Sequence, residues 1–141
     1  MSKSGALILI EDDTDDRIFL EKIFKSIGLK NEVIWFSNTE DAFGFLCTTI
    51  KSIFLIFSDI NLPGESGLDF KRKVDRDPKL RKKSIPFIFY STSANQQDVN
   101  EAFTQMTIQG FFKKENNIED TTEMLKAIFA YWSLCRHPNT Q

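Results

Sequence analysis

The stretch ALILIEDD, residues 6–13, decides how the chain is expected to fold. Five consecutive apolar residues are typical of a strand buried on both faces of a parallel sheet, and the strand ends where the acids begin. From Asp15 onward, apolar residues recur at helical spacing as far as Ile27, and a glycine follows. The sequence therefore predicts a strand and then a helix that Thr14 could cap, with Asp15 and Asp16 favourably placed in its first turn.

The same alternation continues along the rest of the chain. Further strands are predicted at residues 32–36, 53–57, 85–90 and 108–112, and further helices at 68–74, 98–106 and 118–132, with one more after Asn38 or Thr39, either of which could cap it. A polar connection is expected at 75–84. Five strands alternating with five helices predict an α/β fold with a parallel sheet, right-handed crossovers and helices on both faces. No linker or repeat interrupts the pattern, so residues 1–141 are expected to form one domain with a flexible tail at 133–141.

Composition excludes several classes of function. The net charge is −2 and Lys and Arg are spread along the chain, which is unlike the basic patch of a nucleic-acid-binding protein. No apolar segment is long enough to insert into a membrane, and the N-terminus does not resemble a signal peptide, so a cytoplasmic location is expected. The two cysteines, Cys47 and Cys135, lack metal-site spacing and are expected to be buried or half-buried thiols.

Polar residues at the predicted strand ends carry the functional information. The carboxyl ends of parallel strands meet at one edge of the sheet, where ligands bind in such folds. The polar groups are Glu11, Asp12 and Asp13 after the first strand, Asp59 after the third, Ser91 to Ser93 after the fourth, and Lys113 and Lys114 after the fifth. Clustered carboxylates favour a hard cation such as Mg²⁺. Asp59 could then be a nucleophile for a phosphoryl group, whose oxygens a lysine and a hydroxyl would orient.

Four ordered motifs closely resemble the receiver domains of bacterial response regulators. They are Leu-Ile-Glu11-Asp12-Asp13, Ser-Asp59-Ile-Asn61-Leu-Pro63-Gly64-x-x-Gly67, Ile-Pro86 with a strand that ends in Ser91, and Gly110-Phe111-Phe112-Lys113-Lys114. The resemblance spans nearly the whole chain and is to stand-alone receivers similar to phytochrome-associated response regulators. It implies a doubly wound, flavodoxin-like (βα)5 fold with strand order 2-1-3-4-5.

The resemblance also implies roles for the acidic residues. Asp59 is the expected phosphoacceptor and Asp12 a direct Mg²⁺ ligand. Glu11 is expected to act through the metal or its waters, and Asn61 to offer its backbone carbonyl. Mn²⁺ or Ca²⁺ would be substitutes for Mg²⁺.

On the other side of the implied site, the hydroxyl of Ser91 would bind the phosphoryl group. The ring of Phe111 would turn inward when Ser91 moves, which would switch the surface of the fourth helix, fifth strand and fifth helix. Asn61 and Ser93 would flank the phosphoryl group and tune its lifetime.

Lys114 is the lysine that the resemblance places at the site, while Lys113 would point to the opposite face. Receiver domains usually follow this lysine with proline in a cis peptide bond, and this chain has Glu115 instead. Because a cis bond before a non-proline residue costs about 2.5–4 kcal/mol, the bond is either enforced by its surroundings or trans, with Lys114 held differently.

The leading hypothesis is a phosphorylation switch, not an enzyme, that receives its phosphoryl group from a sensor histidine kinase or phosphotransfer protein and acts on an unidentified target. The alternative is a pseudo-receiver that binds proteins without phosphorylation. An aspartyl phosphohydrolase fits less well, because its nucleophile usually follows the first strand, and a flavin-binding protein fits less well because its phosphate loop would not be acidic.

Three expectations concern the end of the chain and the surfaces that could bind partners. Phe129, Tyr131 and Trp132 could form an exposed aromatic patch. A homodimer could use either this patch or the surface of the fourth helix, fifth strand and fifth helix. His137 is expected to be a solvated tail residue.

Overall fold

The computed structural model describes residues 2–92, 95–115 and 117–138. Its strands are β1 (Ala6–Ile10), β2 (Val33–Phe36), β3 (Ile53–Ser58), β4 (Phe87–Ser91) and β5 (Gly110–Lys113). Its helices are α1 (Thr14–Ser26), α2 (Thr39–Thr48), α3 (Gly67–Arg76), α4 (Pro78–Lys83), α5 (Gln96–Gln105) and α6 (Ile118–Leu134), after a 3₁₀ turn at Ser2–Ser4. None of the helices in these ranges is long and apolar enough to cross a membrane.

The five strands form one sheet in the order β2-β1-β3-β4-β5, and every pair of neighbours is parallel. One row of paired residues crosses the whole sheet through Trp35, Leu9, Phe57, Ile88 and Gly110. The predicted α/β class, the parallel sheet and the strand order are therefore confirmed.

The core lies in two layers, one on each face of the sheet. Because side chains alternate across a strand, Ile8 and Ile10 of β1 point into one layer while Leu7 and Leu9 point into the other. Helices α2, α3, α4 and α5 cover the first layer, and α1 and α6 cover the second. Every residue of β1 and β3 is buried, which explains why these two apolar runs were the clearest strands in the sequence.

Helix α4 lies within the stretch that the sequence analysis expected to be a polar connection. The Asp77 side chain caps it by accepting hydrogen bonds from the backbone N–H groups of Lys79 and Leu80, and Pro78 is its first residue. Leu80 is its one buried residue, so no apolar periodicity marked the helix. The predicted fourth and fifth helices are consequently α5 and α6.

Other local predictions change in the structure. Asp13, not Thr14, caps α1, because its carboxylate accepts hydrogen bonds from the N–H groups of Asp15 and Asp16. Asn38 caps α2. Cys135 is half-buried as expected, whereas Cys47 lies on the exposed side of α2, so its predicted burial is wrong.

The end of the chain is more closely packed than expected. Helix α6 continues to Leu134, two residues beyond its predicted end. His137 is 4% exposed, so the expectation of a solvated residue is wrong. The predicted aromatic patch is wrong as well, because Phe129 and Trp132 are buried and only Tyr131 is exposed. The flexibility of residues 133–141 stays a prediction.

Candidate functional site

The carboxyl edge of the sheet brings Glu11 and Asp59 side by side. β1 and β3 pair as far as Ile10 and Ser58, and the pairing continues by one step, because the N–H of Asp59 donates to the Ile10 carbonyl at 3.0 Å. The N–H of Glu11 donates in turn to the Phe36 carbonyl at 3.0 Å on the other side of β1. The first residues beyond the two central strands are therefore fixed by sheet hydrogen bonds.

Three carboxylates converge at this edge. Glu11, Asp12 and Asp59 can each offer an oxygen such that all three oxygens lie within 4.8 Å of one another. Glu11 and Asp59 are buried, while Asp12 is exposed to solvent. Three of the predicted site residues are thus brought together.

The donor set fits a Mg²⁺ ion. Mg²⁺ prefers oxygen ligands at about 2.0–2.1 Å, so opposite ligands stand roughly 4.2 Å apart. Oxygens that lie within 4.8 Å of one another are close to that spacing. One exposed carboxylate beside two buried ones leaves a side open to retained water and to a phosphoryl oxygen, as magnesium sites usually have. The acidic cluster could therefore bind a metal ion of this class.

Lys114 completes the cluster with a positive charge. Its ammonium lies 2.6 Å from Oε1 of Glu11, 2.9 Å from Oδ2 of Asp59 and 2.9 Å from Oδ2 of Asp16. It also lies 5.6 Å from the ring centre of Tyr90. Lys113 is exposed, and its predicted orientation toward the opposite face stays a prediction. Lys114 is therefore the lysine at the site.

The backbone that carries Lys114 is ordinary. The described residues contain no cis peptide bond, so the Lys114–Glu115 bond is trans. The N–H of Lys114 donates to the Ser91 carbonyl at 3.0 Å, which extends the pairing of β4 and β5 by one residue. Of the two arrangements that the sequence left open, the trans one is present, and the lysine still contacts Asp59.

Burial and the neighbouring charges have opposite effects on the pKa values of Glu11 and Lys114. Burial raises the pKa of the Glu11 carboxyl to about 7, although the neighbouring Lys114 acts in the opposite direction. Burial alone would lower the pKa of Lys114, but the hydrogen bonds to Asp59, Glu11 and Asp16 outweigh it and raise that pKa above its ordinary value. Lys114 therefore carries its charge throughout the physiological pH range.

The loop after Asp59 holds the Asp59 carboxylate. The backbone N–H of Asn61 donates to Oδ1 of Asp59 at 3.2 Å, and the hydroxyl of Ser58 donates to the Asp59 carbonyl at 2.9 Å. The N–H of Gly67 donates to the Ile60 carbonyl at 2.8 Å, which closes the loop at the start of α3. Oδ2 of Asp59, bonded to Lys114, faces the acidic cluster.

The remaining predicted residues fall into three cases. Ser91 is completely buried at the end of β4. Phe111 is half-buried in β5, with its ring centre 5.7 Å from that of Phe89. Ser93 lies outside the described residues, so its predicted role stays a prediction.

Two residues that the sequence did not predict for the site contact the cluster. Asp16 was expected only to start α1, yet the Asp16 carboxylate accepts a hydrogen bond from Lys114. The indole N–H of Trp35 donates to the backbone carbonyl of Glu11 at 2.7 Å, and the Arg17 guanidinium stacks 4.0 Å from the centre of the Trp35 ring. The only signal for Trp35 was its place on β2, next to β1.

The sequence of the chain matches the family model of the response regulator receiver domain over residues 7–126. The chain belongs to this family. It is 24% identical to the response regulator Rcp1 of Synechocystis over 131 residues, covering 89% of this chain and 87% of Rcp1. It is also 22% identical to the chemotaxis protein CheY-3 of Vibrio cholerae over 130 residues, covering 92% of this receiver and 95% of CheY-3.

Solved receiver domains have the same fold. The phosphorylated cyanobacterial phytochrome response regulator RcpA superposes with a TM-score of 0.83 at 22% identity, covering 95% of this receiver and 98% of RcpA. The Mn²⁺-bound form of Rcp1 superposes with a TM-score of 0.81 at 24% identity, covering 95% and 99%. The predicted likeness to phytochrome-associated response regulators is thereby confirmed.

Proposed function

We propose that this receiver is a phosphorylation switch that accepts one phosphoryl group on Asp59 from a sensor histidine kinase or a phosphotransfer protein. The observation that carries the proposal is the contact between the Lys114 ammonium and the Asp59 carboxylate, at the point where Glu11 and Asp12 add two further carboxylates. A buried carboxylate, an open acidic cluster and one buried ammonium are the groups that phosphoryl transfer to an aspartate requires.

In the transfer, an oxygen of the Asp59 carboxylate forms a bond to phosphorus while the bond between phosphorus and the donor's imidazole nitrogen breaks. The electron pair of the broken bond stays on that nitrogen, and Asp59 becomes an acyl phosphate. Mg²⁺ held by Glu11, Asp12, Asp59 and the Asn61 carbonyl would offset the charge on the phosphoryl oxygens. The ammonium of Lys114 would bind one of these oxygens, because it already lies within 2.9 Å of Asp59.

The response to phosphorylation would begin at Ser91. Ser91 ends β4, which pairs with β3, so its hydroxyl would move toward a phosphoryl group on Asp59 after β3. Phe111 packs on Phe89, two residues before Ser91, so that movement would alter the packing of Phe111 and the surface of α5, β5 and α6. A homodimer through that surface remains a prediction.

The proposal has three further parts. The chain would be a phosphoacceptor that takes part in its own phosphorylation and dephosphorylation, and not an enzyme with a separate substrate. Its place would be the cytoplasm, where the kinase modules of such systems work. A pseudo-receiver is not favoured, because the acceptor, acid pair and lysine are all present and in contact.

The test is phosphorylation by acetyl phosphate in the presence of Mg²⁺, followed by intact-protein mass spectrometry. We expect the protein to gain the mass of one phosphoryl group, and to gain nothing when Mg²⁺ is removed with a chelator. Asp59→Asn should abolish the gain because the nucleophilic oxygen is lost. Asp69→Asn, which removes an exposed acid on α3, should leave the gain intact.

No mass gain at saturating donor and Mg²⁺ would reject phosphorylation and leave the pseudo-receiver. A gain that persists in Asp59→Asn would place the acceptor at another residue.

A further inference from the structure

Lys114 is shared by three carboxylates that play different parts. Glu11 and Asp59 belong to the cluster that would hold Mg²⁺, whereas Asp16 lies in the first turn of α1 and is 44% exposed at its side chain. All three contacts are between 2.6 and 2.9 Å, so the three N–H donors of the ammonium can all be used. Asp16 is the partner whose carboxylate is outside the metal cluster.

A divalent cation would change how strongly each of the three carboxylates binds the Lys114 ammonium. A cation held by Glu11 and Asp59 competes for the carboxylate oxygens that bind the ammonium, and it also repels the ammonium. The Lys114 side chain must then give up part of its contact with Glu11 and Asp59. Its contact with Asp16 is not subject to the same competition.

Apart from these carboxylates, the described residues place the Tyr90 ring near the ammonium, with its centre 5.6 Å away. β5 ends at Lys113, and the backbone hydrogen bond of Lys114 to the Ser91 carbonyl holds its Cα but leaves four side-chain torsions free. The backbone N–H of Asp16 donates to the Asp13 carboxylate that caps α1 at 3.1 Å, so the backbone of this half-exposed residue is fixed. Asp16 therefore presents a short side chain from a fixed backbone position beside a long flexible one.

We propose that Asp16 is a positioning residue that keeps Lys114 at the acceptor site when Mg²⁺ occupies the acidic cluster. The inference rests on the proposed function for its purpose, since a lysine kept at the site can bind the incoming phosphoryl oxygens. It concerns the place of Lys114 in the metal-bound protein, which can be measured without phosphorylation.

The test compares Asp16→Asn with Asp15→Asn. Both substitutions remove one exposed negative charge from the first turn of α1, and the N–H groups of both residues are held by Asp13, so long-range charge and helix-dipole effects are matched. The contact with Lys114 is the difference between them.

The first measurement is the rate at which Lys114 is acylated by trace amounts of an amine-reactive reagent, read by peptide mass spectrometry with and without Mg²⁺. We expect the factor by which Mg²⁺ increases this rate to be about five times larger in Asp16→Asn than in the wild type. That is the effect of losing one partly exposed charge-assisted hydrogen bond. Asp15→Asn should behave like the wild type. Asp16→Glu should restore most of the protection.

The second measurement is the rate of phosphorylation by acetyl phosphate at saturating Mg²⁺. We expect Asp16→Asn to lower it about fivefold, while its Mg²⁺ affinity stays within about twofold of that of Asp15→Asn. Equal acylation of Lys114 in the two variants with Mg²⁺ present would overturn the proposal. If the wild type takes no phosphoryl group, the proposed function fails, yet the acylation rates still decide whether Asp16 positions Lys114.

Discussion

Gly67 begins α3, and its backbone lies close against the loop that carries Asp59. A Cβ atom added there would clash with the carbonyl oxygen of Asp59 and lie 2.9 Å from the Cα of Ile60. Both neighbours are backbone atoms, which cannot turn away as the end of a side chain can. The glycine is therefore required by close approach, and the position of Asp59 depends on it.

We expect Gly67→Ala to lower the free energy of unfolding by about 2 kcal/mol or more, since either α3 or the Asp59 loop must move. Gly44→Ala is the matched control, because Gly44 lies inside α2 with open space around it. That control should raise stability by up to about 1 kcal/mol through better helix propensity. Urea unfolding of both variants is the measurement, and equal effects would contradict the argument.

Single residues at strand ends were predictable, and those that contact them from the side were not. Asp59, Glu11 and Lys114 follow apolar runs, so the topology alone places them at one edge. Asp16 was hidden because an acid in the first turn of a helix already has a local explanation. Trp35 was not predicted because a half-buried tryptophan on an edge strand is usually explained by core packing.

At the scale of elements, hydrogen bonds from Thr107 connect an ion pair within α3 to the segment between α5 and β5. The Lys71 ammonium is 2.8 Å from Asp75 and 3.1 Å from the hydroxyl of Thr107, and Lys71 is 3% exposed. The hydroxyl and the backbone N–H of Thr107 donate to the two oxygens of Asp75 at 2.7 and 3.0 Å. The Lys71 side chain is 4% exposed and that of Asp75 is 12% exposed, so the buried ammonium depends on this carboxylate for its counter-charge.

We expect Asp75→Asn to cost about 3 kcal/mol of unfolding free energy at neutral pH, because it leaves the Lys71 ammonium buried without its counter-charge. Asp69→Asn is the control on the same helix. Asp69 is an exposed acid that pairs with Arg72, so its substitution should cost less than about 1 kcal/mol. Urea unfolding at pH 7 measures both. A loss below 1 kcal/mol in Asp75→Asn would mean that Lys71 becomes solvated or neutral.

The same pair predicts how stability changes in acid. Burial alone would raise the pKa of Asp75, but hydrogen bonds from Lys71 and Thr107 outweigh it and hold the pKa below its ordinary value. The stabilisation is therefore complete above the unfolded-state pKa of about 4 and is lost as pH falls through the lower folded-state pKa. The difference between wild type and Asp75→Asn should be constant from pH 7 to about 5 and shrink below about pH 4. Unfolding curves across that range are the measurement, and a constant difference would contradict it.

Element prediction failed where burial is decided by tertiary contacts. Lys71 and Asp75 have the i,i+4 spacing of an exposed surface pair, and their burial follows only from the packing of α3 beside Thr107. Helix α4 had start signals in Asp77 and Pro78 but a single apolar residue, so pattern alone favoured a loop. The periodic elements, by contrast, were all found.

At the scale of the whole molecule, the carboxyl and amino ends of the strands form two edges of the sheet with different contacts. The carboxyl edge carries the acidic cluster, and His137, which follows α6, packs against the amino edge. There the His137 ring stacks on Phe54 with ring centres 5.7 Å apart and lies 5.7 Å from Trp132 of α6. Its Nε2 donates to the Phe54 carbonyl at 2.6 Å, which ties the end of the chain to β3.

We expect His137→Ala to lower the free energy of unfolding by about 2 kcal/mol, because it removes a buried ring and a hydrogen bond, while phosphorylation by acetyl phosphate stays as in the wild type. His137 contacts Phe54, five residues before Asp59, and that length of strand spans roughly 16 Å. His137→Phe keeps the stacking and should lose only about 1 kcal/mol. Exposed Arg136→Ala is the neighbouring control, with an expected change below about 0.5 kcal/mol.

Urea unfolding and the mass-spectrometric phosphorylation assay are the two measurements. Slower phosphorylation in a folded His137→Ala protein would show that the two edges are coupled, whereas normal phosphorylation with reduced stability would show that they act independently.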